Sequence, residues 1–169
     1  MKKFELIEKV SAGFLLLGVM VVGCGLLLGS GSYAGSGEIQ TQERKVDTFH
    51  SVVTGGSEDL YITQGATQQL KIEAEENVLQ NLSTEVRGGV LHIEYRHSFN
   101  GHGPITIYVT MKEVKGLKLA GSGNIKGQSK ITTDEIDLGI SGSGNIEIEL
   151  EANHINTAIS GSGHVTLSG

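Results

Sequence analysis

The sequence predicts an all-β domain, a right-handed parallel β-solenoid with coils of about 20 residues. The first observation is a series of short runs, from Glu38 onward, in which apolar and polar residues alternate as in strands with one buried face. The second is a repeated pentad: GSGNI occurs at residues 121–125 and 142–146, and GSGHV follows at 161–165. The third is composition, since 25 glycines with a single proline favour tight turns between strands over a disordered chain.

The first element in chain order is an N-terminal targeting segment, residues 1–29. Three lysines and two glutamates lie within residues 1–9, whereas residues 10–28 carry no charge. A helix of these uncharged residues is about 28 Å long, close to the thickness of the hydrocarbon core of a bilayer. We therefore expect the body of the protein to lie outside the cytoplasm, in the cell envelope.

Three interpretations of this segment stay open. It is an uncleaved membrane anchor, a lipoprotein signal, or a signal peptide that is cleaved after Ala34. The second rests on the stretch VVGC at 21–24, which resembles the bacterial lipobox and makes Cys24 the candidate lipidated residue. Cys24 is the single cysteine of the chain, so the rest of the protein has no disulfide and no cysteine metal site.

A Gly/Ser linker at residues 30–37 precedes the predicted solenoid domain, residues 38–169. The alternating runs, in chain order, are 60–62, 70–72, 91–95, 105–109, 117–119, 136–140, 146–150, 155–159 and 165–167. One short helix of a turn or two is predicted within AEENVLQNL, residues 74–82. The first half of the domain has less regular spacing, which predicts either a looser coil region or a small antiparallel sheet that caps the solenoid.

The glycine pentads are predicted to be structural corners, where the chain passes from one strand to the next and successive coils stack. A second polar turn is expected at 151–154, between the strands 146–150 and 155–159. Stacked strands lie about 4.8 Å apart, so equivalent residues should form ladders, with the aliphatic residue of each pentad inside and the asparagines hydrogen-bonded along the corner. The predicted corner residues are Gly121, Ser122, Gly123, Asn124, Gly142, Ser143, Gly144, Asn145, Gly161, Ser162, Gly163 and His164.

No catalytic, cofactor-binding or metal site is predicted. The first pentad lacks the third glycine of the dinucleotide fingerprint, and the chain has no Walker A loop. His97 and His102 would need His92 or Glu94 to complete a zinc site, and a polar surface loop is the favoured interpretation. The acidic residues at 147, 149 and 151 share one outer strand face and, like those at 134, 135 and 137, are interpreted as solvated charge. A net charge of −6 argues against a nucleic-acid partner.

Several segments, in the same order along the chain, resemble the bacterial auto-transporter adhesin "head GIN" domain family. They are RKVDTFHSVV at 44–53, the stretch 55–62, LKIEAEENVLQNLSTEVRGGVLHIEY at 70–95, the stretch 104–109 and the GSGN repeats. The similarity extends over roughly residues 35–169. It implies a β-solenoid, export from the cytoplasm with lipoproteins among the members, and an adhesin function, and it brings no catalytic residues or cofactor.

The resemblance also predicts how the domain ends and what it does. Family members usually continue through more GSG coils, so we expect either a truncated domain or self-association through an open C-terminal coil. The expected function is that of a non-enzymatic, membrane-anchored envelope protein with a protein or glycan ligand on its face. The alternatives are a glycan-processing β-helix enzyme, which needs a deep groove with convergent carboxylates and Arg or Lys, and a purely structural envelope protein. Flat ladders of Ser, Asn and Thr would favour the binding module.

Overall fold

The computed structural model describes residues 37–98 and 102–169. The predicted targeting segment, Cys24 and nearly all of the Gly/Ser linker lie outside the described residues, so those assignments stay predictions. The elements are β1 Ile39–Arg44, β2 Ser51–Thr54, β3 Asp59–Gln64, β4 Gln69–Glu75, α1 Glu76–Asn81, β5 Leu82–Arg87, β6 Val90–Tyr95, β7 Thr106–Met111, β8 Gly116–Leu119, β9 Asn124–Gly127, β10 Ile131–Gly142, β11 Asn145–Gly161 and β12 His164–Ser168.

The strands form one mixed sheet that curls into an open half-barrel. Its order is β1-β4-β7-β3-β9-β11-β10-β8-β2-β6-β5, and β12 pairs with β11 beside this path. The long strand β11 joins two arms of the sheet. Its first residues pair with β9 and β12 in the first arm, and its residues from 150 to 161 pair with β10 in the second arm.

The prediction of a right-handed parallel β-solenoid is therefore wrong, although the all-β class is correct. Eight strand pairs are parallel, but β1 with β4, β4 with β7, and β5 with β6 are antiparallel. All three antiparallel pairs lie towards the two ends of the sheet path and involve strands from the less regular first half of the sequence. That half also contains parallel pairs, β2 with β6 and β3 with β7, so it is not the small antiparallel cap stated as one alternative.

A two-glycine turn accounts for one of these reversals. Gly88 and Gly89 have φ of 59° and 77° and connect β5 to β6. A two-residue hairpin turn of this kind requires positive φ at both central positions, which glycine adopts without steric cost. The chain therefore turns back at once and pairs β6 with β5, where a parallel connection would need a much longer crossover.

The core lies between the two arms and follows the alternation of the strands. Inward side chains such as Leu60, Ile62, Ile107 and Ile125 are fully buried. The predicted short helix is confirmed as α1, which buries Val78 and Leu79 against the core. Helix α1 thus covers core residues close to strands β1, β4 and β5.

The predicted turn at 151–154 does not occur, because β11 continues through it. Strand β10 is likewise continuous, and the two strands pair in register from Ile131 with Leu150 to Gly142 with Gly161. The register is interrupted at Asp134 and Asn153, where the Asn153 Nδ2 donates a hydrogen bond to the Asp134 Oδ1 at 2.7 Å. A side-chain bond between adjacent strands thus spans the position at which the sequence indicates a turn.

Candidate binding face

The predicted corner residues stack on one another in the structure. At each step the amides of one corner donate to the carbonyl groups of the preceding one, as from Ser122 and Gly123 to the Gly56 oxygen at 3.1 Å. The same bonds recur one step on, from residues 143–145 to 121 and 123, and again from 162–164 to 142 and 144. A weaker copy of the repeat, residues 56–60, thus begins the stack.

Glycine at the third corner position is required by the close approach of two backbones. A Cβ atom on Gly123 would overlap the carbonyl oxygen of Glu58, and one on Gly144 would overlap that of Gly123. In a stack of this kind the glycines therefore serve packing between strands. They do not form a cradle for a phosphate group.

Polar side chains form a ladder along the outside of these corners. Asn124 Nδ2 donates to Asp59 Oδ1 at 2.7 Å, and Asn145 Nδ2 donates to Asn124 Oδ1 at 3.0 Å. His164 lies in register with Asn145 at the next strand. The ladder keeps the outer edge of the stack flat and polar.

A second row crosses the outer surface of the first arm, two residues further along each strand. We call it the tyrosine row, and its members, one per strand from β1 to β11, are Glu43, Lys71, Tyr108, Tyr61, Lys126 and Glu147. Its order of side chains is symmetric, with two central tyrosines, a lysine on either side and a glutamate beyond each lysine. Sequence analysis missed this row. Tyr61, Lys126 and Glu147 each follow a copy of the repeat directly, but Glu43, Lys71 and Tyr108 come from strands outside it.

The centre of the tyrosine row is a stack of rings and ammonium groups. The rings of Tyr61 and Tyr108 are stacked with centroids 5.4 Å apart and planes 17° apart. Lys71 Nζ lies 4.1 Å from the centroid of Tyr108, and Lys126 Nζ lies 5.9 Å from that of Tyr61. Aromatic pairs and cation–π contacts each stabilise such an arrangement by about 0.5–1.5 kcal/mol. The row is therefore ordered before any ligand arrives.

One charge of the tyrosine row, that of Lys71, is paired with a carboxylate beside the row. Lys71 Nζ donates to Glu73 Oε1 at 2.8 Å, and this hydrogen bond raises the pKa of Lys71. The Tyr108 hydroxyl donates to the other oxygen of Glu73 at 3.4 Å. Hydroxyl, ammonium and carboxylate groups thus lie side by side on a flat, partly exposed surface. Such a surface can offer hydrogen-bond donors and acceptors to an extended partner.

A groove of about 640 Å³ lies beside the point where the pairing of β10 with β11 is interrupted. In shape and lining it is the feature that most resembles the cleft of an enzyme. Four carboxylates line it with Lys115: Glu113, Asp134, Glu135 and Asp137. Asn156 Nδ2 donates to two of them, Glu135 at 3.2 Å and Asp137 at 3.1 Å. A hydrogen bond and ion pair with Lys115 at 2.9 Å lower the pKa of Glu113. A general acid needs a raised pKa, so this shift has the wrong direction for acid catalysis.

The histidines named as a zinc alternative lie around another cavity, of about 420 Å³. His97 and His102 line it together with Glu94, Tyr95 and the glycines at 55 and 56. Among the residues that the structure describes, no three His, Cys, Asp or Glu side chains are grouped so as to hold a metal ion. His92 and Glu94 lie two residues apart on β6, with His92 Nδ1 3.6 Å from Glu94 Oε1.

A buried carboxylate behind this cavity also escaped sequence analysis. Glu58 is fully buried, and it accepts hydrogen bonds from the hydroxyls of Thr54 and, at 2.7 Å, Tyr95. Burial and the neighbouring carboxylate raise the pKa of Tyr95 well above its ordinary value. Glu58 occupies the corner position that is Gly123, Gly144 and Gly163 in the later copies, and this difference was the available signal.

No helix within 37–98 or 102–169 is long and apolar enough to cross a membrane. A family model described as "Putative auto-transporter adhesin, head GIN domain" matches residues 48–169. No curated protein matches the chain.

Three solved structures share the fold at low sequence identity. A "putative adhesin" from Parabacteroides merdae has a TM-score of 0.74 at 18% identity, with 80% of this chain and 58% of that one covered. One from Parabacteroides distasonis gives 0.64 at 21% identity, with 80% and 67% covered. One from Bacteroides fragilis gives 0.59 at 14% identity, with 80% and 99% covered. This chain therefore spans little more than half the length of the first of these structures.

Proposed function

The chain belongs to the head GIN domain family, and from this premise we propose that it is a non-enzymatic binding module of the cell envelope that holds an extended glycan on its tyrosine row. The description of the family and of the similar structures as adhesins supports a binding role. The observation that carries the choice of surface is the preordered stack of Lys71, Tyr108, Tyr61 and Lys126.

The chemistry of the tyrosine row favours a hydroxyl-rich partner. Two lysines and two glutamates flank the tyrosine pair, so the row carries no excess of positive charge that would select a polyanion. A sugar hydroxyl both donates and accepts, and it can bond to each of these groups. The ring faces are covered by one another and by Lys71, so the contacts are made by hydroxyls, ammonium groups and carboxylates at the rim.

The geometry of the row favours a polymer over a small molecule. Neighbouring strands lie about 4.8 Å apart, so the two lysines, three strand intervals apart, are separated by about 14 Å. That distance is several sugar rings long, and the surface between them is flat. Small ligands generally occupy concave sites that bury most of their surface.

Variants that remove only the ring hydroxyls test this function. We expect the full chain to bind at least one member of a panel of soluble neutral and anionic polysaccharides in affinity electrophoresis. The double variant Tyr61→Phe, Tyr108→Phe keeps the ring stack and should bind about tenfold more weakly, since two hydrogen bonds at about 0.5–1.5 kcal/mol each are lost. Lys118→Gln, on the exposed side of β8 in the second arm, is the matched control and should bind normally. Equal binding by the double variant and the wild type would reject the tyrosine row as the site.

We also propose that residues 1–29 hold the module at the membrane, on the evidence of their charge and hydropathy alone. The test separates a lipid from a helix. Incorporation of a fatty-acid analogue that is lost in Cys24→Ala supports lipidation at Cys24, whereas membrane association without any cysteine-dependent label supports a helical anchor. Release of both forms into the soluble fraction would contradict membrane attachment.

A further inference from the structure

The first corner of the stack differs from the later corners in its backbone hydrogen bonds. In each later copy, the amides of the second and third corner residues both donate to the carbonyl oxygen of the first residue of the preceding corner. Ser122 and Gly123 donate to Gly56 in this way, at 3.1 Å each, and the pairs 143–144 and 162–163 repeat the arrangement at 3.0 to 3.2 Å. Two neighbouring amides that share one acceptor are therefore a constant feature of the later corners.

Ser57 and Glu58 occupy the same two positions in the first copy of the repeat. The equivalence follows from the stacking, because Gly56 lies against Gly121 and β3 pairs in register with β9. Neither the Ser57 amide nor the Glu58 amide donates to an acceptor in the described part of the chain. Two neighbouring donors of the first corner therefore lack the oxygen atom that their counterparts share.

The layer of strands before the first corner explains this difference. Strands β6 and β7 pair with β2 and β3 and form that layer, but they are connected by residues 96–105, whereas residues 55–58 connect β2 to β3. The longer connection rejoins the stack at its end, where the Asp59 amide donates to the Ile105 oxygen at 3.0 Å. The cavity of about 420 Å³ described above lies beside the corner, and the residues that line it include Gly55, Gly56, Ser57, Tyr95, His97 and His102. The cavity thus lies where a regular corner would supply the acceptor.

We propose that this cavity, which we call the corner site, binds the acetamido group of an N-acetylated sugar. The carbonyl oxygen of that group accepts the hydrogen bonds of the Ser57 and Glu58 amides. At every later step of the stack the acceptor of the two amides is the neutral carbonyl of an amide group, so a ligand with the same group reproduces the geometry of the repeat. The corner site is separate from the tyrosine row, and the inference does not depend on glycan binding there.

The charges around the corner site favour a neutral carbonyl over an anion. Glu58 is fully buried behind the corner, and it accepts hydrogen bonds from the hydroxyls of Thr54 and Tyr95, which bring no positive charge. The described residues that line the cavity include one carboxylate, that of Glu94, and no Lys or Arg. A carboxylate or phosphate group at the two amides would be repelled by the buried charge of Glu58, whereas an amide carbonyl carries no net charge.

The surroundings of the corner site favour a compact sugar over a peptide, which also carries amide carbonyls. An extended peptide typically adds to a free strand edge. Strand β2 is paired on both sides, with β6 and β8, and β3 likewise with β7 and β9, so neither has a free edge at the corner. The cavity is within the size range of sites for small molecules. The hydroxyl of Ser57 and the imidazoles of His97 and His102 belong to groups that hydrogen-bond to sugar hydroxyls.

Nuclear magnetic resonance of the isotope-labelled full chain in detergent micelles tests the proposal, with N-acetylglucosamine as the probe. We expect the backbone amide signals of Ser57 and Glu58 to shift saturably as the sugar is added. The signals of Ser143 and Gly144, whose amides already donate to the Gly121 oxygen, are the internal control and should not move. Glucose lacks the acetamido group and should bind about tenfold more weakly, because two hydrogen bonds are lost.

A variant that removes one donor completes the test. Ser57→Pro deletes an amide hydrogen that makes no bond within the described protein, and it should weaken the binding of N-acetylglucosamine about tenfold. Ser57→Ala, which keeps the amide, is the matched control and should bind within about twofold of the wild type. An unchanged circular dichroism spectrum checks the fold of both variants, and the comparison of the two sugars in the wild type does not depend on either.

Several results would overturn the proposal. One is the absence of saturable shifts at Ser57 and Glu58, and another is equal binding of glucose and N-acetylglucosamine. Tighter binding of acetate or of N-acetylalanine methylamide than of the sugar would make the ligand an anion or a peptide. The double variant Tyr61→Phe, Tyr108→Phe should bind N-acetylglucosamine normally, and a loss of binding in it would place the sugar on the tyrosine row. Failure of polysaccharide binding at the tyrosine row would leave the corner site unaffected.

Discussion

The two arms of the sheet form a stack of strands, and this stack ends differently on its two sides. At one end, strands β1 and β5 are joined by the guanidinium of Arg44, and helix α1 covers the core beside them. At the other, β12 and residues 152–161 of β11, which we call the open edge, repeat the backbone pattern of the strands before them and leave Ile155 and Ile159 half exposed. We call the side at β1 and β5 the closed end. It depends on individual side-chain contacts that do not recur along the sequence, whereas the open edge is built from a repeat.

The difference shows what each kind of sequence can specify. The closed end contains buried polar groups with particular partners: Asn81 exchanges hydrogen bonds with the backbone of His97 at 2.7 and 2.9 Å. Such groups have one favourable arrangement, because a buried polar atom without a partner costs about 1–3 kcal/mol. The repeated corners do not require one particular partner strand. Any strand with the same glycines can extend the stack.

The largest effect is expected at the corners, where a methyl group has no room. Gly123→Ala would place its Cβ against the carbonyl oxygen of Glu58, and relief requires that two hydrogen-bonded strands separate. We expect a loss of at least about 3 kcal/mol in the free energy of unfolding, the upper end of the usual cost of overpacking. Urea denaturation followed by circular dichroism measures it.

Gly55→Ala is the matched control for this change. The nearest atom to its Cβ would be the Ala120 oxygen at 3.6 Å, an ordinary contact, so its stability should lie within about 0.5 kcal/mol of the wild type. Equal stabilities of the two variants would show that the corners are not close-packed, and would weaken the contrast between the repeat and the closed end.

An intermediate effect on stability is expected when isoleucine is replaced by alanine at equivalent positions of two neighbouring strands. Ile140 and Ile159 are register partners, but Ile140 is 2% exposed and Ile159 is 48% exposed. Ile140→Ala should destabilise the protein by about 2–5 kcal/mol, the usual cost of a cavity in a core, and Ile159→Ala by less than about 1 kcal/mol. Urea denaturation followed by circular dichroism measures both costs.

Ile159→Ala is the control for Ile140→Ala, because the two side chains are register partners that differ in burial. Equal costs for the two variants would mean that the core is closed at Ile159 as it is at Ile140.

Much of the strand content could be predicted from the sequence, because alternation reports a buried face locally. The run at 60–62 lies in β3 and that at 105–109 largely in β7, and helix α1 lies inside the predicted segment 74–82. The family was also predicted correctly, from the order of several segments together. These successes share one cause: each rests on residues that are close together in sequence.

Strand direction could not be predicted in the same way. The spacing of 65 residues between Gly56 and Gly121 is close to three periods of the repeat, but that interval contains β4, which runs antiparallel to β7, and the β5–β6 hairpin. Gly88-Gly89 is a hairpin signal that lies outside any twenty-residue period. Strand length was also mispredicted, since the polar residues at 151–154 resemble a turn in sequence but continue strand β11 in the structure.

The candidate binding face was the least predictable part. Tyr61 and Tyr108 are separated by 47 positions in the sequence, and nothing local indicates that their strands are neighbours. Lys71 reaches Tyr108 across an antiparallel pair, β4 with β7, whose pairing the sequence did not indicate. A surface assembled from six strands becomes visible once the strand order is known.

The smallest effect on the free energy of unfolding is expected from Tyr95→Phe. This variant also allows the closed end to be tested by pH. Removing the hydroxyl leaves the buried Glu58 with one donor fewer and should cost about 1–3 kcal/mol at pH 7. Burial, followed by the charge of Glu58, raises the pKa of Tyr95 above its ordinary value of 10.0. The folded protein therefore retains the phenol proton, and its stabilising contribution is complete below pH 10 and is lost progressively above it, as the unfolded chain ionises.

The gap in stability between the wild type and Tyr95→Phe should therefore shrink between pH 9 and pH 11, because phenylalanine has no proton to lose. Urea denaturation at each pH measures the gap. Tyr108→Phe is the control, since its hydroxyl lies 3.4 Å from Glu73 on a partly exposed surface and should cost less than about 0.5 kcal/mol at pH 7. A gap for Tyr95→Phe that stays constant across this range would mean that the phenol is not held by Glu58. The closed end would then depend on apolar packing and Arg44, and would be closer in character to the open edge than its buried polar groups indicate.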